Sequence, residues 1–222
     1  MNKMIVANWK MNGSVELVDT FINAIVKSEE LILALPHIFI GYASAKRNGF
    51  KVAAQDCSVF ENYGAHTGEV SAKMLKDSGA EYIILGHSER RSCNEETVDI
   101  IYKKMKNAIE AGLKIILCVD ENYSKLIDEN TESLVKNHIK DIAIAYEPVS
   151  AIGTGVVPTT TEISNVLSKI KETYYGIKTL YGGSVNSANS QEILGLESVD
   201  GVLIGGASLK IEEIEKILLS LR

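Results

Sequence analysis

The sequence predicts an α/β protein folded as a single (β/α)8 barrel. Short apolar segments rich in β-branched residues alternate with longer amphipathic segments, and eight of the short segments can be distinguished. The 222 residues thus divide into units of about 28 residues, a length that accommodates a strand, a loop and a helix. The short segments are apolar throughout, which is typical of parallel strands buried on both faces. Eight such units can close into a barrel surrounded by helices.

The predicted strands are separated by turn residues and by the amphipathic segments. Each is a short run, and several contain consecutive Ile, Leu or Val residues. In chain order they are Met4–Ala7, Leu31–Leu35, Val52–Ala54, Tyr82–Leu85, Lys114–Val119, Ile142–Tyr146, Thr179–Tyr181 and Gly201–Ile204.

Helices are predicted where apolar residues recur every three or four positions. The segments with this pattern are Val15–Lys27, Val98–Ala111, Thr161–Ile170 and Ile211–Leu221. An open doubly wound sheet is the alternative arrangement of such units. No G-x-G-x-x-G motif follows the first strand, which weighs against dinucleotide binding. No linker or change of composition divides the chain, so residues 1–222 are predicted to form one domain.

Composition excludes several classes of protein. The net charge is −6, from 23 basic and 29 acidic residues, which argues against a general binder of nucleic acid or anionic membranes. No apolar run approaches the roughly 18 to 20 residues that a membrane span needs. The apolar run at residues 4–7 is too short for a secretory signal, so we expect a cytoplasmic protein. The three cysteines show no metal-binding spacing, and we expect reduced thiols and no metal site.

Unusual polar residues follow several of the predicted strands. Asn8 and Lys10 follow the first strand, His87 the fourth and Glu147 the sixth. An isolated lysine or histidine is most often a surface or structural residue. In a closed barrel, however, the carboxyl ends of the strands converge on one face, where active sites are built. At such a place Lys10 would supply a fixed positive charge for an anionic substrate.

The residue types at these positions suit proton transfer next to a carbonyl group. His87 lies where a strand gives way to a polar turn that we expect to be helical, and a helix N-terminus favours the neutral imidazole. A neutral imidazole can donate a hydrogen bond to a carbonyl oxygen and stabilise negative charge that develops there. Glu147 directly follows an apolar strand, which makes it a candidate general base.

Glycine-rich turns after the last two strands predict a phosphate site. They are Gly182-Gly183-Ser184 and Gly205-Gly206-Ala207-Ser208, and their backbone N–H groups can bind an anion without basic side chains. The apolar segment at residues 149–158, which contains Gly153, is predicted to be a mobile lid.

Six motifs together identify a family. In this order and over nearly the whole chain, they resemble the motifs of triosephosphate isomerases. The motifs are Ala7-Asn8-Trp9-Lys10-Met11-Asn12, Gly86-His87-Ser88-Glu89-Arg90-Arg91, Ala145-Tyr146-Glu147-Pro148-Val149, Ala151-Ile152-Gly153-Thr154-Gly155, Tyr181-Gly182-Gly183-Ser184-Val185 and Gly205-Gly206-Ala207-Ser208-Leu209.

The resemblance implies a (β/α)8, or TIM, barrel that interconverts dihydroxyacetone phosphate and D-glyceraldehyde 3-phosphate in glycolysis and gluconeogenesis. It implies no cofactor and no metal. By the same resemblance the catalytic base is Glu147 and the electrophile is His87, while Lys10 and Asn8 bind the substrate and stabilise its charge. The phosphate cradle would be formed by Gly153, Ser184, Gly205 and Gly206. Two further polar residues, Glu89 and Ser88, would lie beside the site.

The resemblance also implies a homodimer. The segment at residues 56–70 is long for a βα connection, and members of the family insert this loop into a neighbouring subunit. Thr67 would approach Asn8, Lys10 and Glu89 of the partner subunit, and Glu69 would pair with Arg90 of the partner subunit.

The sequence departs from the family pattern outside the catalytic positions. Ser150 replaces a bulky aromatic residue at the start of the lid, His66 replaces a phenylalanine, and Asp56 stands where asparagine is usual. The connection from Cys118 to Glu147 is short, so we expect a trimmed fifth helix.

Two other functions remain open from the residues alone. A phosphate-binding barrel without catalysis would need only the glycine turns. A barrel with a different reaction, such as a phosphosugar aldolase or another isomerase, is the second. A Schiff-base aldolase would use a lysine inside a middle or late strand, but Lys114 opens its strand and Lys178 precedes its own.

Overall fold

The computed structural model describes residues 3–25, 27–61, 63–148 and 158–221. Eight parallel strands pair in chain order, and β8 pairs back to β1, so the sheet is a closed barrel. The barrel confirms the predicted fold class and excludes the open sheet. The strands are β1 (Met4–Asn8), β2 (Leu31–Leu35), β3 (Lys51–Ala54), β4 (Tyr82–Leu85), β5 (Lys114–Val119), β6 (Ile142–Tyr146), β7 (Lys178–Tyr181) and β8 (Gly201–Ile204).

The strand predictions differ from the structure by at most one residue at an end. β1 extends to Asn8, β3 begins at Lys51 and β7 begins at Lys178. The sequence-based prediction begins β3 and β7 one residue later, at Val52 and Thr179. Each lysine nevertheless joins the sheet, because only the backbone pairs with the neighbouring strand; the side chain of Lys178 is exposed.

The helices surround the barrel. They are α1 (Val15–Ala24), α2 (His37–Lys46), α3 (Ala72–Asp77), α4 (Ser88–Cys93), α5 (Val98–Glu110), α6 (Tyr123–Leu126), α7 (Glu129–Asn137), α8 (Thr160–Thr173), α9 (Ser190–Leu194) and α10 (Ile211–Leu219), with a 3₁₀ helix at Gly206–Leu209. All four predicted helices are present, although α1 ends at Ala24, before the predicted Lys27. The β5–β6 connection holds only the short helices α6 and α7, in agreement with the expected trimming.

Two apolar layers explain why the strands are apolar throughout. Alternate residues such as Val6, Ile116 and Leu203 fill the barrel interior. Their neighbours, such as Ile5 and Ile115, face outward and pack against the helices. Each strand is thus buried on both faces, as predicted. No helix in the described ranges is long and apolar enough to cross a membrane.

Candidate active site

The carboxyl ends of the strands open into one cavity of about 380 Å³. All but one of the predicted catalytic and substrate-binding residues meet there. Gly153 lies outside the described residues, as does the lid segment except for Pro158. The lining residues that were predicted from the sequence are Asn8, Lys10, His87, Glu147, Ser184, Gly205 and Gly206.

The turn between β4 and α4 fixes the position and the ring tautomer of His87. Gly86 adopts φ +70°, a conformation that glycine tolerates without strain, and His87 then caps the N-terminus of α4. The backbone N–H of Glu89 donates to His87 Nδ1 at 3.2 Å. Because Nδ1 accepts this bond, the neutral ring carries its proton on Nε2, which lies in the cavity.

The Glu147 carboxylate is bound to two donors on the β4–α4 segment. Its Oε1 lies 3.0 Å from His87 Nε2, and its Oε2 accepts the backbone N–H of Ser88 at 3.1 Å. The residue is only 1% exposed. Ser88 therefore contacts the base through its backbone, whereas its buried hydroxyl has no hydrogen-bond partner among the described residues.

Two neighbours of Glu147, Gly182 and Cys118, were not predicted to contact the base. A Cβ atom on Gly182 would lie 2.9 Å from the Cγ of Glu147, so a side chain at position 182 would collide with the base. Cys118, on β5, is buried, and burial together with the nearby Glu147 carboxylate raises the pKa of its thiol well above the ordinary value. The thiol therefore stays neutral and adds no charge beside the base.

Lys10 is held at the cavity by its backbone and by an acidic partner. Its Nζ lies 2.6 Å from Glu89 Oε1, and its backbone N–H donates to Asn8 Oδ1 at 3.0 Å. Lys10 adopts φ +53°, a left-handed conformation that costs a non-glycine residue of order 1 kcal/mol. The surrounding contacts thus offset this cost and hold the Lys10 side chain, about one-third exposed, at the cavity.

The two glycine turns lie on the side of the cavity formed by β7 and β8. Gly205 approaches Lys10 closely, since a Cβ there would lie 3.3 Å from Lys10 Cε. The buried hydroxyl of Ser208 donates to the carbonyl oxygen of Asn8 at 3.0 Å and so joins this turn to the end of β1. The motif containing Ser208 was recognised in the sequence, but this bond links residues far apart in the chain and had no sequence signal.

The lysines considered for a Schiff-base enzyme do not line the cavity. Lys114 and Lys178 are the first residues of β5 and β7, and both side chains are exposed. They lie at the amino ends of their strands, opposite His87 and Glu147. This placement disfavours the aldolase alternative. Among the described residues, no group of three or more His, Cys, Asp or Glu side chains is arranged to hold a metal ion.

Comparison with known proteins agrees with this geometry. The family model for triosephosphate isomerase matches residues 3–221. Relatives named triosephosphate isomerase include one from Thermodesulfovibrio yellowstonii, 38% identical with 97% of this chain and 98% of the relative covered. Another, from Aquifex aeolicus, is 37% identical with 99% and 100% covered. A third, from Pseudoalteromonas translucida, is 40% identical with 96% and 94% covered. Three observations agree: the barrel is closed and has eight strands, one cavity unites the predicted residues, and the similarity covers almost the full length. This chain therefore belongs to the triosephosphate isomerase family and is an isomerase that interconverts dihydroxyacetone phosphate and D-glyceraldehyde 3-phosphate in glycolysis.

Proposed function

We propose that Glu147 is the base of the isomerisation and that His87 is its electrophile. The observation that carries this proposal is the contact between Glu147 Oε1 and His87 Nε2 at 3.0 Å, inside the cavity that also holds Lys10. Glu147 takes a proton from C1 of dihydroxyacetone phosphate and returns it to C2. His87 donates its Nε2 proton to the C2 oxygen and then accepts the C1 hydroxyl proton, so the enediolate is neutralised without any change in total protons.

Binding of substrate must first separate these two groups. In this geometry the Glu147 carboxylate accepts hydrogen bonds from His87 Nε2 and from the backbone N–H of Ser88. A substrate carbonyl oxygen that accepts from His87 takes over one of those bonds. The carboxylate is then free to turn toward the substrate carbon, and Gly182 leaves space beside its stem. The exchange keeps each buried polar group paired.

Charge in the cavity suits a phosphorylated triose. We propose that the Lys10 ammonium binds the substrate and stabilises the enediolate, with Asn8 beside it. The phosphate would bind to backbone N–H groups of Ser184, Gly205 and Gly206, and to Gly153 once the lid closes. Glu89 pairs with Lys10 at 2.6 Å and so orients the ammonium group without contacting the substrate.

Substitution of the base tests the catalytic assignment. Glu147→Gln keeps the shape of the side chain but cannot accept a proton, so we expect kcat to fall by roughly 10²- to 10⁴-fold with a small change in KM. The matched control is Glu110→Gln, which alters an exposed residue on α5 and should leave kcat unchanged. A Glu147→Gln enzyme with a kcat near that of the wild type would show that another group is the base.

The lid proposal is tested by amide exchange. We propose that residues 149–158 close over bound phosphate, gain contacts through Gly153 and exclude water from the enediolate. Amide exchange in this segment should slow when 2-phosphoglycolate is bound. Equal exchange rates with and without this inhibitor would contradict closure.

We also propose a homodimer formed through the loop after β3. The loop extends from residue 55 to residue 71, and the described residues from 60 to 69 are all exposed, including Thr67 and Glu69. Tyr63 and Phe60 on this loop expose 71% and 43% of their surface. Exposed aromatic residues on a long loop are typical of a segment that packs on a second subunit.

The interface partner predicted for Glu69 is already engaged within the chain. Arg90 Nη2 lies 2.8 Å from Asp56 Oδ2 and 2.7 Å from Glu96 Oε1, and about one-third of the side chain is exposed. Pairing with Glu69 of the partner subunit would therefore add a rim contact to an arginine that is already neutralised. We expect this pair to contribute little to dimer affinity.

Shortening the loop tests the dimer. Replacement of residues 61–69 by a short Gly/Ser turn should give a folded monomer of low activity, measured by light scattering and a kinetic assay. The control is Tyr175→Ser, which removes a tyrosine even more exposed than Tyr63, near the amino end of β7, and should leave the dimer intact. A shortened variant that stays dimeric, or a monomer with full kcat, would overturn the proposal.

We propose that residues 1–222 act as one catalytic domain in the cytoplasm. The free thiols of Cys57, Cys93 and Cys118 support a reducing compartment. Identical unfolding midpoints by fluorescence and by circular dichroism would support one cooperative domain, and two separated transitions would contradict it.

A further inference from the structure

Two side chains outside the cavity hold the loop that follows β7. This loop, residues 182–189, contributes Ser184 to the proposed phosphate cradle. Asn189 closes the loop from within: its Nδ2 donates to the carbonyl oxygen of Ser184 at 2.9 Å, and its Oδ1 accepts the backbone N–H of Asn186 at 2.9 Å. The carboxamide of Asn189 therefore bonds to two backbone groups of the loop, one at Ser184 and one at Asn186.

Glu213 holds the same loop from outside. Its Oε2 accepts the backbone N–H of Ser187 at 2.8 Å, and its Oε1 accepts the Ser187 hydroxyl at 3.0 Å. Glu213 lies in the first turn of α10, which begins directly after the 3₁₀ helix Gly206–Leu209. It therefore ties the loop after β7 to the segment that carries the other half of the cradle. The Ser187 backbone bond lowers the pKa of Glu213, so the carboxylate is ionised at neutral pH.

These contacts matter because a backbone cradle has no long side chains that can adjust to a ligand. Its N–H groups bind an oxyanion well only when the loop itself is fixed to within a fraction of an ångström. The Asn189 bond fixes the peptide group between Ser184 and Val185. Gly182, Gly183 and Ser184, immediately before this peptide group, line the cavity.

We propose that Asn189 and Glu213 are positioning residues for the phosphate subsite, acting through Ser184 and Ser187. They determine how strongly the enzyme prefers a phosphorylated triose over a triose without phosphate. They contact neither the substrate carbons nor Glu147 and His87, so they do not affect proton transfer itself. The inference rests on the phosphate subsite proposed above.

The test compares two substrates in each variant. Asn189→Ala removes both loop bonds, and Glu213→Ala removes both bonds to Ser187. The measured quantity is the ratio of kcat/KM for glyceraldehyde 3-phosphate to kcat/KM for glyceraldehyde. Each variant should lower this ratio about tenfold, as loss of one or two hydrogen bonds to the cradle implies. The loss should come mainly from a higher KM for the phosphorylated substrate, with a weaker Kd for inorganic phosphate.

The matched control is Glu212→Ala, which removes the same charge from the exposed neighbouring position in α10 and should leave the ratio unchanged. A parallel fall for both substrates would show a merely structural role and overturn the inference. Glu213→Ala leaves the loop sequence intact and decides the question if Asn189→Ala does not fold. A wild-type enzyme with no preference for the phosphorylated substrate would instead contradict the phosphate subsite itself.

Discussion

Lys104 should be essential for stability because it neutralises two carboxylates beneath the proposed interface loop. Its Nζ lies 2.7 Å from Asp56 Oδ1 and also contacts Glu96 Oε1. The side chains of Lys104 and Glu96 are only 5% and 4% exposed. Arg90 binds the same two carboxylates. The cluster thus contains two negative and two positive charges and is formally neutral.

Lys104→Met keeps most of the side-chain volume but leaves one uncompensated negative charge in the cluster. Removal of one partner from a buried ion pair costs about 3 to 5 kcal/mol, because the remaining charge stays desolvated. For a chain of this length, that loss lowers Tm by roughly 6 to 20 °C, at about 2 to 4 °C per kcal/mol. Lys103→Met is the matched control. Lys103 pairs with Asp99 at the surface, 56% exposed, so its loss should cost less than about 0.5 kcal/mol.

A second substitution should rescue the first. Asp56→Asn combined with Lys104→Met leaves Glu96 paired with Arg90, and the cluster is again neutral. The double variant should therefore be more stable than Lys104→Met alone by at least about 1 kcal/mol, a coupling typical of contacting residues. Thermal and urea unfolding at pH 7 and one fixed protein concentration would measure the three variants. A Lys104→Met variant as stable as Lys103→Met, or a double variant less stable than the single one, would refute this account of charge balance.

Other variants test single features of the structure. Lys10→Met should weaken binding of 2-phosphoglycolate, because a cation fixed in the cavity is lost; an unchanged inhibition constant would exclude this role. In the native protein a thiol reagent should label exposed Cys93 alone, because burial raises the pKa of Cys57 to about 12 and that of Cys118 well above its ordinary value; mass spectrometry should find the other two labelled only in denaturant. Gly201→Ala should cost about 3 kcal/mol, the upper end of the usual range for overpacking, in urea unfolding, because the new Cβ would lie 2.2 Å from the carbonyl oxygen of Met4 in β1; a loss below about 1 kcal/mol would show that β1 and β8 can move apart to accept the methyl group.

The barrel could be predicted closely because its strands are buried on both faces. Such strands are largely apolar runs, and the first polar, glycine or proline residue after each run marks its carboxyl end to within one residue. Helix α2 was missed for a related reason. Its apolar residues are spread around the helix, so that Ile40 is buried while Ile38 is exposed, and no amphipathic pattern distinguishes it from a loop. The short helices α3 and α9 span less than two turns and have too few residues to show a period.

That the candidate site residues share one face of the barrel could be predicted, but their mutual contacts could not. Position after a parallel strand is enough to bring His87 and Glu147 to the same face of a barrel. It does not show that Glu89 donates its backbone N–H to His87 and so selects the ring tautomer. Nor does it show that Asn189 closes the loop behind Ser184. These bonds depend on backbone direction in turns, which residue type alone leaves open.

The glycine turns show the same limit of sequence-based prediction, because glycine can occur at a position for different structural reasons. A Cβ on Gly183 would lie 2.1 Å from the Tyr181 hydroxyl, and one on Gly182 would lie 2.9 Å from the stem of Glu147. These two glycines are therefore required by neighbours within the protein. A Cβ on Gly206 would meet no atom of the described residues within 4 Å, and this residue lines the cavity. Packing among the described residues therefore does not account for glycine at position 206, whereas a ligand bound against its backbone, as in the proposed phosphate cradle, would account for it.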